Sequence, residues 1–165
     1  MPYPVMTLAE ISAMPVCELA HPDGCHLYLW TTNKFLPDAF TVISEWGFFY
    51  STTLVWAKNT MGGGLGGAYG ISTEYVLFAR RGSLPASDRV KGTWFNWKRP
   101  YNSAGKPMHS AKPGEFYSMI EQVSPGPYLE LFARRVRSQW DSWGDQALHP
   151  VELPQLRGLV RQMIA

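Results

Sequence analysis

The chain is short of cysteine and of long apolar runs, and each shortage excludes a class of protein. Its two cysteines, Cys17 and Cys25, are too few for the disulfide framework of a small secreted domain. No apolar run approaches the roughly 20 residues of a membrane-spanning helix, and no charged N-terminal region precedes an apolar signal core. We therefore expect a cytoplasmic protein with reduced thiols and no membrane partner.

An excess of charge is also lacking. The 15 Lys and Arg residues against 13 Asp and Glu leave a net charge of +2, which argues against a strongly basic nucleic-acid-binding domain. Any contact with nucleic acid must then be local, at Arg80-Arg81, Lys98-Arg99 or Arg134-Arg135-Arg137, although solvated strand ends carry such charge too. The 165 residues, 45% of them hydrophobic, predict one globular domain over residues 1–165.

Two ligand-binding patterns are incomplete. The loop Gly62-Gly63-Gly64-Leu65-Gly66-Gly67 fits G-x-G-x-x-G, but no helix start follows it and it lacks the Lys-Ser/Thr of a phosphate-binding loop. We interpret it as a mobile surface loop. Cys17, His21, Cys25 and His26 are metal-ligand types without a C-x-x-C pair, and we predict no metal site.

Local patterns in the first half predict an α/β fold. Thr7 and Glu10 have the spacing of a capping box, which predicts a short helix that stops before Pro15. Strands are predicted over 25–31 and 48–57. The helix between them is predicted from apolar residues at helical spacing, namely Leu36, Ala39, Phe40, Ile43 and Trp46. A strand, helix and strand in this order favour parallel pairing with a right-handed crossover.

The second half continues the α/β pattern. A third strand, 73–80, is expected to pair antiparallel, because the glycine-rich loop before it is too short for a crossover helix. A second amphipathic helix is predicted from near Pro113, followed by a strand over 128–133. Leu156, Leu159, Val160 and Met163 predict a C-terminal helical tail over about residues 151–164.

Polar side chains gather where these elements end. Arg134 directly follows the strand over 128–133, and Lys112 precedes the helix that leads into that strand. Gln146 lies a short distance after the strand. Ligands of open α/β sheets bind beyond the carboxyl ends of the strands, so this cluster predicts a site for a polar small molecule. Glu74 interrupts an apolar strand, so it either has a charged partner, for which Lys112 and Arg134 are candidates, or faces a wet cleft.

Aromatic residues give a second signal. The stretch Trp94-Phe95-Asn96-Trp97-Lys98-Arg99 interleaves aromatic and cationic residues, as in sites that stack unpaired bases and bind the adjoining phosphate. The same pattern is typical of a core strand, and the sequence leaves both interpretations open. Trp30 and Trp56 lie near strand ends, where they can line a pocket.

Several segments occur in an order typical of one family. They are Pro2-Tyr3-Pro4-Val5-Met6, Leu27-Tyr28-Leu29-Trp30-Thr31-Thr32-Asn33, Trp46-Gly47-Phe48, Trp56-Ala57-Lys58, Glu74, His109-Ser110-Ala111-Lys112-Pro113-Gly114-Glu115-Phe116-Tyr117, Glu130-Leu131-Phe132-Ala133-Arg134 and Gly144-Asp145-Gln146. Together they closely resemble the MT-A70 family of adenine N-6 methyltransferases over about residues 2–146. The resemblance implies a Rossmann-like fold with a mixed sheet flanked by helices. It also implies transfer of a methyl group from S-adenosylmethionine to adenine in DNA or RNA, with a homo- or heterodimer partner possible.

The resemblance also implies roles for individual residues. Lys112 would meet the methionine carboxylate of the cofactor, and Arg134 with Gln146 the ribose. Asp145 stands where the family usually has Asn, and its carboxylate can still accept hydrogen bonds from ribose hydroxyls. The residues expected at the acceptor base are Tyr3, Trp30, Trp56, Glu74 and Trp97.

One part of the family pattern is absent from the sequence. The catalytic Asp-Pro-Pro-Trp motif is expected on a strand end shortly before the Pro-Tyr-x-x-Met segment, and the chain begins at Met1 without it. We therefore name no catalytic residue and expect an N-terminally truncated chain that lacks the first strand of its sheet. Loss of that central strand is expected to expose the edges of its neighbours, so that residues 1–165 alone bind S-adenosylmethionine weakly or not at all and do not methylate adenine. The alternative is a non-catalytic methyltransferase-like subunit that binds nucleic acid or a catalytic partner.

Overall fold

Three of the four α-helices in the described residues lie where capping and apolar spacing predict, and the helix at Val16–Leu19 was not predicted. The computed structural model describes residues 5–58 and 67–165, so Tyr3 and most of the glycine-rich loop lie outside the described residues. The helices are α1 (Leu8–Ser12), α2 (Val16–Leu19), α3 (Leu36–Glu45) and α4 (Gly114–Val123), with 3₁₀ turns at Asn33–Phe35 and Leu153–Leu156. The predicted capping box is confirmed, since the Thr7 hydroxyl accepts from the Glu10 backbone and the Glu10 carboxylate accepts from the Thr7 backbone.

The described residues form one mixed sheet of seven strands, in the order β4-β2-β3-β1-β7-β5-β6. The strands are β1 (Gly24–Thr31), β2 (Phe49–Ala57), β3 (Thr73–Gly82), β4 (Trp94–Phe95), β5 (Tyr128–Leu131), β6 (Trp140–Trp143) and β7 (Gln162–Ile164). β3 runs antiparallel to both β1 and β2, whereas the other neighbouring strands are parallel. The predicted mixed sheet with flanking helices is confirmed.

The crossover from β1 through α3 to β2 differs from its prediction in one respect. β1 and β2 run in the same direction, as expected, but β3 lies between them and pairs with each along most of its length. A strand that returns without a crossover helix must be antiparallel to the strand it leaves, so β3 can bridge two strands of like direction. The predicted antiparallel β3 is confirmed.

The predicted C-terminal helical tail is wrong. Residues Leu153–Leu156 form a 3₁₀ turn, Gly158 adopts a φ of 73°, and Gln162–Ile164 form strand β7. The apolar spacing was helical, but Pro154 and Gly158 interrupt a regular helix, and all three residues of β7 are buried. A strand buried on both faces has no alternating pattern that would distinguish it from a helix segment.

β7 also overturns the expected gap in the sheet. It pairs in parallel with β1 on one side and with β5 on the other, so neither neighbour has an exposed edge there. Met163 stands in register between Leu27 and Leu129, and all three side chains are fully buried. The centre of the sheet is therefore closed by the C-terminal segment.

Helices cover both faces of the sheet. On one face, α1 and α3 pack over an apolar core that contains Leu27, Leu129 and Met163. On the other, Phe116 and Ile120 of α4 pack against a second apolar cluster. None of the helices in residues 5–58 and 67–165 is both long and apolar enough to cross a bilayer.

A buried hydrogen-bond network attaches the end of α4 to β1. The His26 ring contacts the Leu84 carbonyl through Nε2 at 2.9 Å and the Ser124 hydroxyl through Nδ1 at 2.7 Å. Because a carbonyl only accepts, Nε2 carries the proton and Nδ1 accepts from Ser124. Tyr28 then donates to the Ser124 oxygen at 2.9 Å. Burial lowers the pKa of His26, which favours this neutral tautomer.

We predict that Met163→Ala lowers the free energy of unfolding by about 2–5 kcal/mol, because it leaves a cavity in the centre of the sheet. Leu159→Ala, at a side chain that is 53% exposed, is the matched control and should cost less than about 0.5 kcal/mol. Urea unfolding of both variants measures the difference. Equal losses would contradict a central position for β7.

We also predict that stability falls as the pH is lowered below about 6.5, the ordinary pKa of histidine. The lowered pKa of His26 means that the unfolded chain binds a proton there that the folded chain does not, so acid favours unfolding. Urea unfolding at pH 7 and pH 5 should show a smaller loss in His26→Gln than in the unchanged protein. His149→Gln, at an exposed histidine, should lose as much stability between pH 7 and pH 5 as the unchanged protein.

Candidate functional site

A crevice opens beyond the carboxyl ends of the parallel strands β1, β7, β5 and β6. Its largest cavity, of about 680 Å³, is lined by the loop before α4, by the start of α4 and by the segment after β5. The chain turns sharply there, since Phe132 adopts a φ of 59°. Gly144 has a φ of 151°, and a side chain on it would lie 2.9 Å from the Ala133 nitrogen. The ends of β5 and β6 can therefore approach closely and direct their polar residues into the crevice.

Lys112 and Glu130 form a buried ion pair in the wall of this cavity. Lys112 Nζ lies 3.0 Å from Glu130 Oε1, and the two side chains are 15% and 7% exposed. Tyr117 donates its hydroxyl to the same oxygen at 2.8 Å. Burial, followed by the nearby Glu130 charge, raises the pKa of Tyr117, so the phenol remains a donor at neutral pH.

Arg134 and Gln146 line the same cavity as Lys112, as the sequence predicted for one shared site. Arg134 Nη1 donates to the His109 carbonyl at 3.3 Å, which links the end of β5 to the loop before α4. Asp145 lies in an adjoining cavity of about 300 Å³, whose wall also includes Arg134 and Gln146. The four predicted cofactor residues thus lie on two connected cavities.

A neighbouring cavity of about 420 Å³ contains most of the predicted acceptor residues. Trp30, Trp56 and Glu74 line it, and it shares Lys112 and Arg134 with the largest cavity. The rings of Trp30 and Trp56 meet edge to face, with centroids 5.9 Å apart. Trp56 is only 3% exposed, so Trp30 offers the more accessible ring.

The predicted partners of Glu74 are wrong. Glu74 pairs with Lys58, whereas Lys112 pairs with Glu130. The reason lies in the register of the sheet. Trp56 of β2 stands opposite Glu74 of β3, so Lys58, which directly follows β2, lies close to the Glu74 carboxylate. The Lys58 ammonium also lies 5.0 Å from the centroid of the Trp56 ring, a cation–π contact.

Trp97 makes more contacts within the protein than a side chain that stacks on unpaired bases needs. Its ring stacks on Phe95 at 4.4 Å and meets Phe116 edge to face at 5.7 Å. Its carbonyl accepts from Trp56 Nε1 at 2.9 Å. Trp97 lines a further cavity of about 280 Å³, together with Trp56, Lys58 and Arg99. Phe95 therefore covers one face of the Trp97 ring. Tyr3, which was also expected at the acceptor base, lies outside the described residues.

Glu130 and Tyr117 were missed as site residues by sequence reasoning. The signal for Glu130 was present, because a carboxylate between Leu129 and Leu131 interrupts an apolar strand in the same way as Glu74. Tyr117 follows Phe116 on α4 and gave no distinguishing pattern. In the described part of the chain, no group of three or more His, Cys, Asp or Glu residues is close enough to bind a metal ion.

Comparison with known proteins finds similarity of the chain to one family. A model of the MT-A70 family matches residues 1–146. The chain is 30% identical over 145 residues to the type II methyltransferase M.MunI of Mycoplasma sp, covering 86% of this chain and 58% of that protein. It is 29% identical over 150 residues to the N6-methyladenosine RNA methyltransferase MTA1 of Cryphonectria parasitica, covering 84% and 42%. It is 27% identical over 159 residues to the N(6)-adenosine-methyltransferase subunit METTL3 of Danio rerio, covering 88% and 25%. The chain thus spans about half, or less, of the length of these relatives.

We predict that Tyr117→Phe lowers the free energy of unfolding by about 1.5–3 kcal/mol, since it removes a hydrogen bond to a buried carboxylate. Tyr50→Phe is the matched control, because the Tyr50 hydroxyl bonds to Thr53 at an exposed position. Tyr50→Phe should change stability by less than about 0.5 kcal/mol. Chemical denaturation measures both, and a Tyr117→Phe variant as stable as the control would contradict the assigned contact.

Proposed function

Because the chain belongs to the MT-A70 family, we propose that its crevice binds S-adenosylmethionine and an adenine base of DNA or RNA for methyl transfer to the N-6 amino group. One observation carries the proposal. Lys112, Arg134 and Gln146 line a single cavity of about 680 Å³, and that cavity shares wall residues with the one lined by Trp30, Trp56 and Glu74. A volume of this size suits a nucleoside cofactor, and a shared wall brings two ligands close together.

The side chains of the largest cavity, and of the adjoining cavity that Asp145 lines, fit the polar groups of the cofactor. Lys112 has two N–H donors beyond the one directed at Glu130, and these suit a carboxylate. Arg134 and Gln146 can donate to ribose oxygens, and Asp145 can accept from ribose hydroxyls. When bound, S-adenosylmethionine supplies a methyl group already activated by its sulfonium charge.

The side chains of the cavity lined by Trp30, Trp56 and Glu74 suit an adenine base. The rings of Trp30 and Trp56 stand at 87°, so they cannot both stack on one planar base, and we assign the stacking face to the more exposed Trp30. Glu74 can accept a hydrogen bond from the exocyclic amino group, which helps to orient its lone pair. Arg99 lines both cavities, at a position suited to a nucleic-acid phosphate.

A non-catalytic role, as a methyltransferase-like subunit that binds nucleic acid or a catalytic partner, is the second candidate. The Asp-Pro-Pro-Trp tetrapeptide implied by the family resemblance is absent from these 165 residues. A subunit of this kind would keep the ligand cavities and act with a catalytic partner. Incubation of the chain with radiolabelled S-adenosylmethionine and adenine-containing DNA or RNA separates the two functions. Methyl incorporation supports the enzyme, whereas cofactor binding without incorporation supports the subunit.

We also propose a cytoplasmic location.

We predict that Lys112→Ala and Arg134→Ala each weaken the binding of S-adenosylmethionine about tenfold or more, as expected for the loss of a charged hydrogen bond. Arg81→Ala is the matched control, because Arg81 lies at the end of β3 opposite to Glu74, beside Gly47 and away from the crevice. It should leave the dissociation constant unchanged within about twofold. Titration calorimetry measures all three, and equal effects would refute the assigned roles.

A further inference from the structure

The cavity of about 280 Å³ has no role in the function proposed above, yet it adjoins the cavity assigned to the adenine base. The two cavities share the wall residues Trp56, Lys58 and Arg99. Its volume lies near the lower bound of about 300 Å³ for small-molecule sites, so it suits one planar ring system better than a whole cofactor. A ligand bound there would lie directly beside the proposed adenine.

Tyr101 gives this cavity an aromatic ring that lies outside the core. The residue is 56% exposed, and its backbone pairs with that of Pro107 across a short hairpin. Asn102 Oδ1 closes the turn of this hairpin by accepting from the backbone nitrogens of Ala104 at 3.0 Å and Lys106 at 2.9 Å. An exposed ring on a preorganised hairpin can stack on a base with little loss of conformational freedom.

Amide and cationic groups lie in the same wall. Asn96 is exposed, and its amide can both donate to and accept from the edge of a base. Lys58 is paired with Glu74, whereas no carboxylate in the described part of the chain forms an ion pair with Lys98 or Arg99. Arg99 is therefore the shared wall residue best suited to bind a phosphate.

We propose that this cavity binds the base of the nucleotide next to the target adenine, stacked on Tyr101, while Arg99 binds the phosphate that joins the two nucleotides. The inference rests on the proposed function and deepens it, because it assigns a second base subsite for the nucleic-acid substrate. Arg99 lines both cavities, so a phosphate bound to it lies between the two bases, as the covalent structure of a nucleic acid requires. The Asn96 amide makes the subsite sensitive to the identity of the neighbouring base.

A series of single-stranded oligonucleotides read by fluorescence anisotropy tests the proposal without an activity assay. The parent oligonucleotide has one central adenine in a run of pyrimidines. Three others carry one abasic residue each, at the adenine, at its 5′ neighbour or at its 3′ neighbour. Removal of one of the two neighbouring bases should lower the affinity about fivefold or more, the effect of one stacked base. The series is made in DNA and in RNA, and the tighter-binding series identifies the nucleic acid.

Tyr101→Ala should lower the affinity for the parent oligonucleotide about fivefold or more. In this variant the oligonucleotide without the neighbouring base should bind as well as the parent, because its stacking partner is gone. Tyr101→Phe keeps the ring and should bind like the unchanged protein within about twofold. Tyr50→Ala is the matched control, because Tyr50 is 47% exposed and lies at the end of β2 opposite to Trp56. It should preserve the affinities of all four oligonucleotides.

A second variant tests the phosphate contact. Arg99→Ala should weaken binding of the parent oligonucleotide about fivefold or more, since a charged hydrogen bond is lost. An uncharged methylphosphonate between the adenine and its neighbour should weaken binding to the unchanged protein by a similar factor and have no further effect in Arg99→Ala. Arg81→Ala, at the end of β3 opposite to Glu74, is the matched control and should remain sensitive to the methylphosphonate.

The outcomes separate this inference from the proposed function. If the unchanged protein binds no oligonucleotide, or binds equally well with and without the adenine, the proposed function fails and the inference fails with it. If loss of the adenine weakens binding but loss of either neighbour does not, the inference alone is overturned. The same holds if Tyr101→Ala weakens all four oligonucleotides by one factor, because that result indicates a general surface contact. Should Tyr101→Ala not fold, the comparison of oligonucleotides on the unchanged protein still decides.

Discussion

The crevice depends on the backbone pairing of β7 with its two neighbours. Three residues, Gln162–Ile164, form the only strand between β1 and β5 in the described sheet, so every ladder contact between its two halves passes through them. One half carries Trp30, Trp56 and Glu74, and the other carries Glu130 and leads into Arg134. The relative position of the two groups of side chains therefore follows from the hydrogen bonds of a short terminal strand. Such a strand must be held by burial as well, which Met163 supplies.

The crevice is charged, yet its buried and partly buried carboxylates occur in close ion pairs. Glu74 pairs with Lys58 in the wall of the cavity of about 420 Å³. Glu130 pairs with Lys112 in the wall of the cavity of about 680 Å³. A buried unpaired charge would cost several kcal/mol, whereas a pair with hydrogen-bonding capacity left over can stay buried and still recognise a ligand. This arrangement is compatible with a net charge of only +2 and with the proposed site for a charged nucleoside.

Sequence patterns predicted most elements whose formation depends on local interactions. The Thr7 capping box, α3, α4 and the strands β1, β2, β3 and β5 occur where periodicity and turn residues indicated. Strand β4 was one of two open interpretations of its stretch, and β6 and β7 were not predicted, because the few residues of each carry no pattern that distinguishes a strand from a loop or helix. β7 is also determined by long-range pairing, which no local window contains.

The site shows the same division between local and long-range information. Lys112, Arg134 and Gln146 were expected to meet because each lies at an element end that topology brings to one edge of the sheet, and they do line one cavity. The partner of Glu74 was predicted wrongly, since it depends on the register between β2 and β3 and not on charge alone. The signal at Glu130 was also hard to interpret, because its partner depends on long-range folding. A carboxylate in an apolar strand reveals that it needs a cation, but only the fold decides which cation reaches it, and here that cation is Lys112 from the loop before α4.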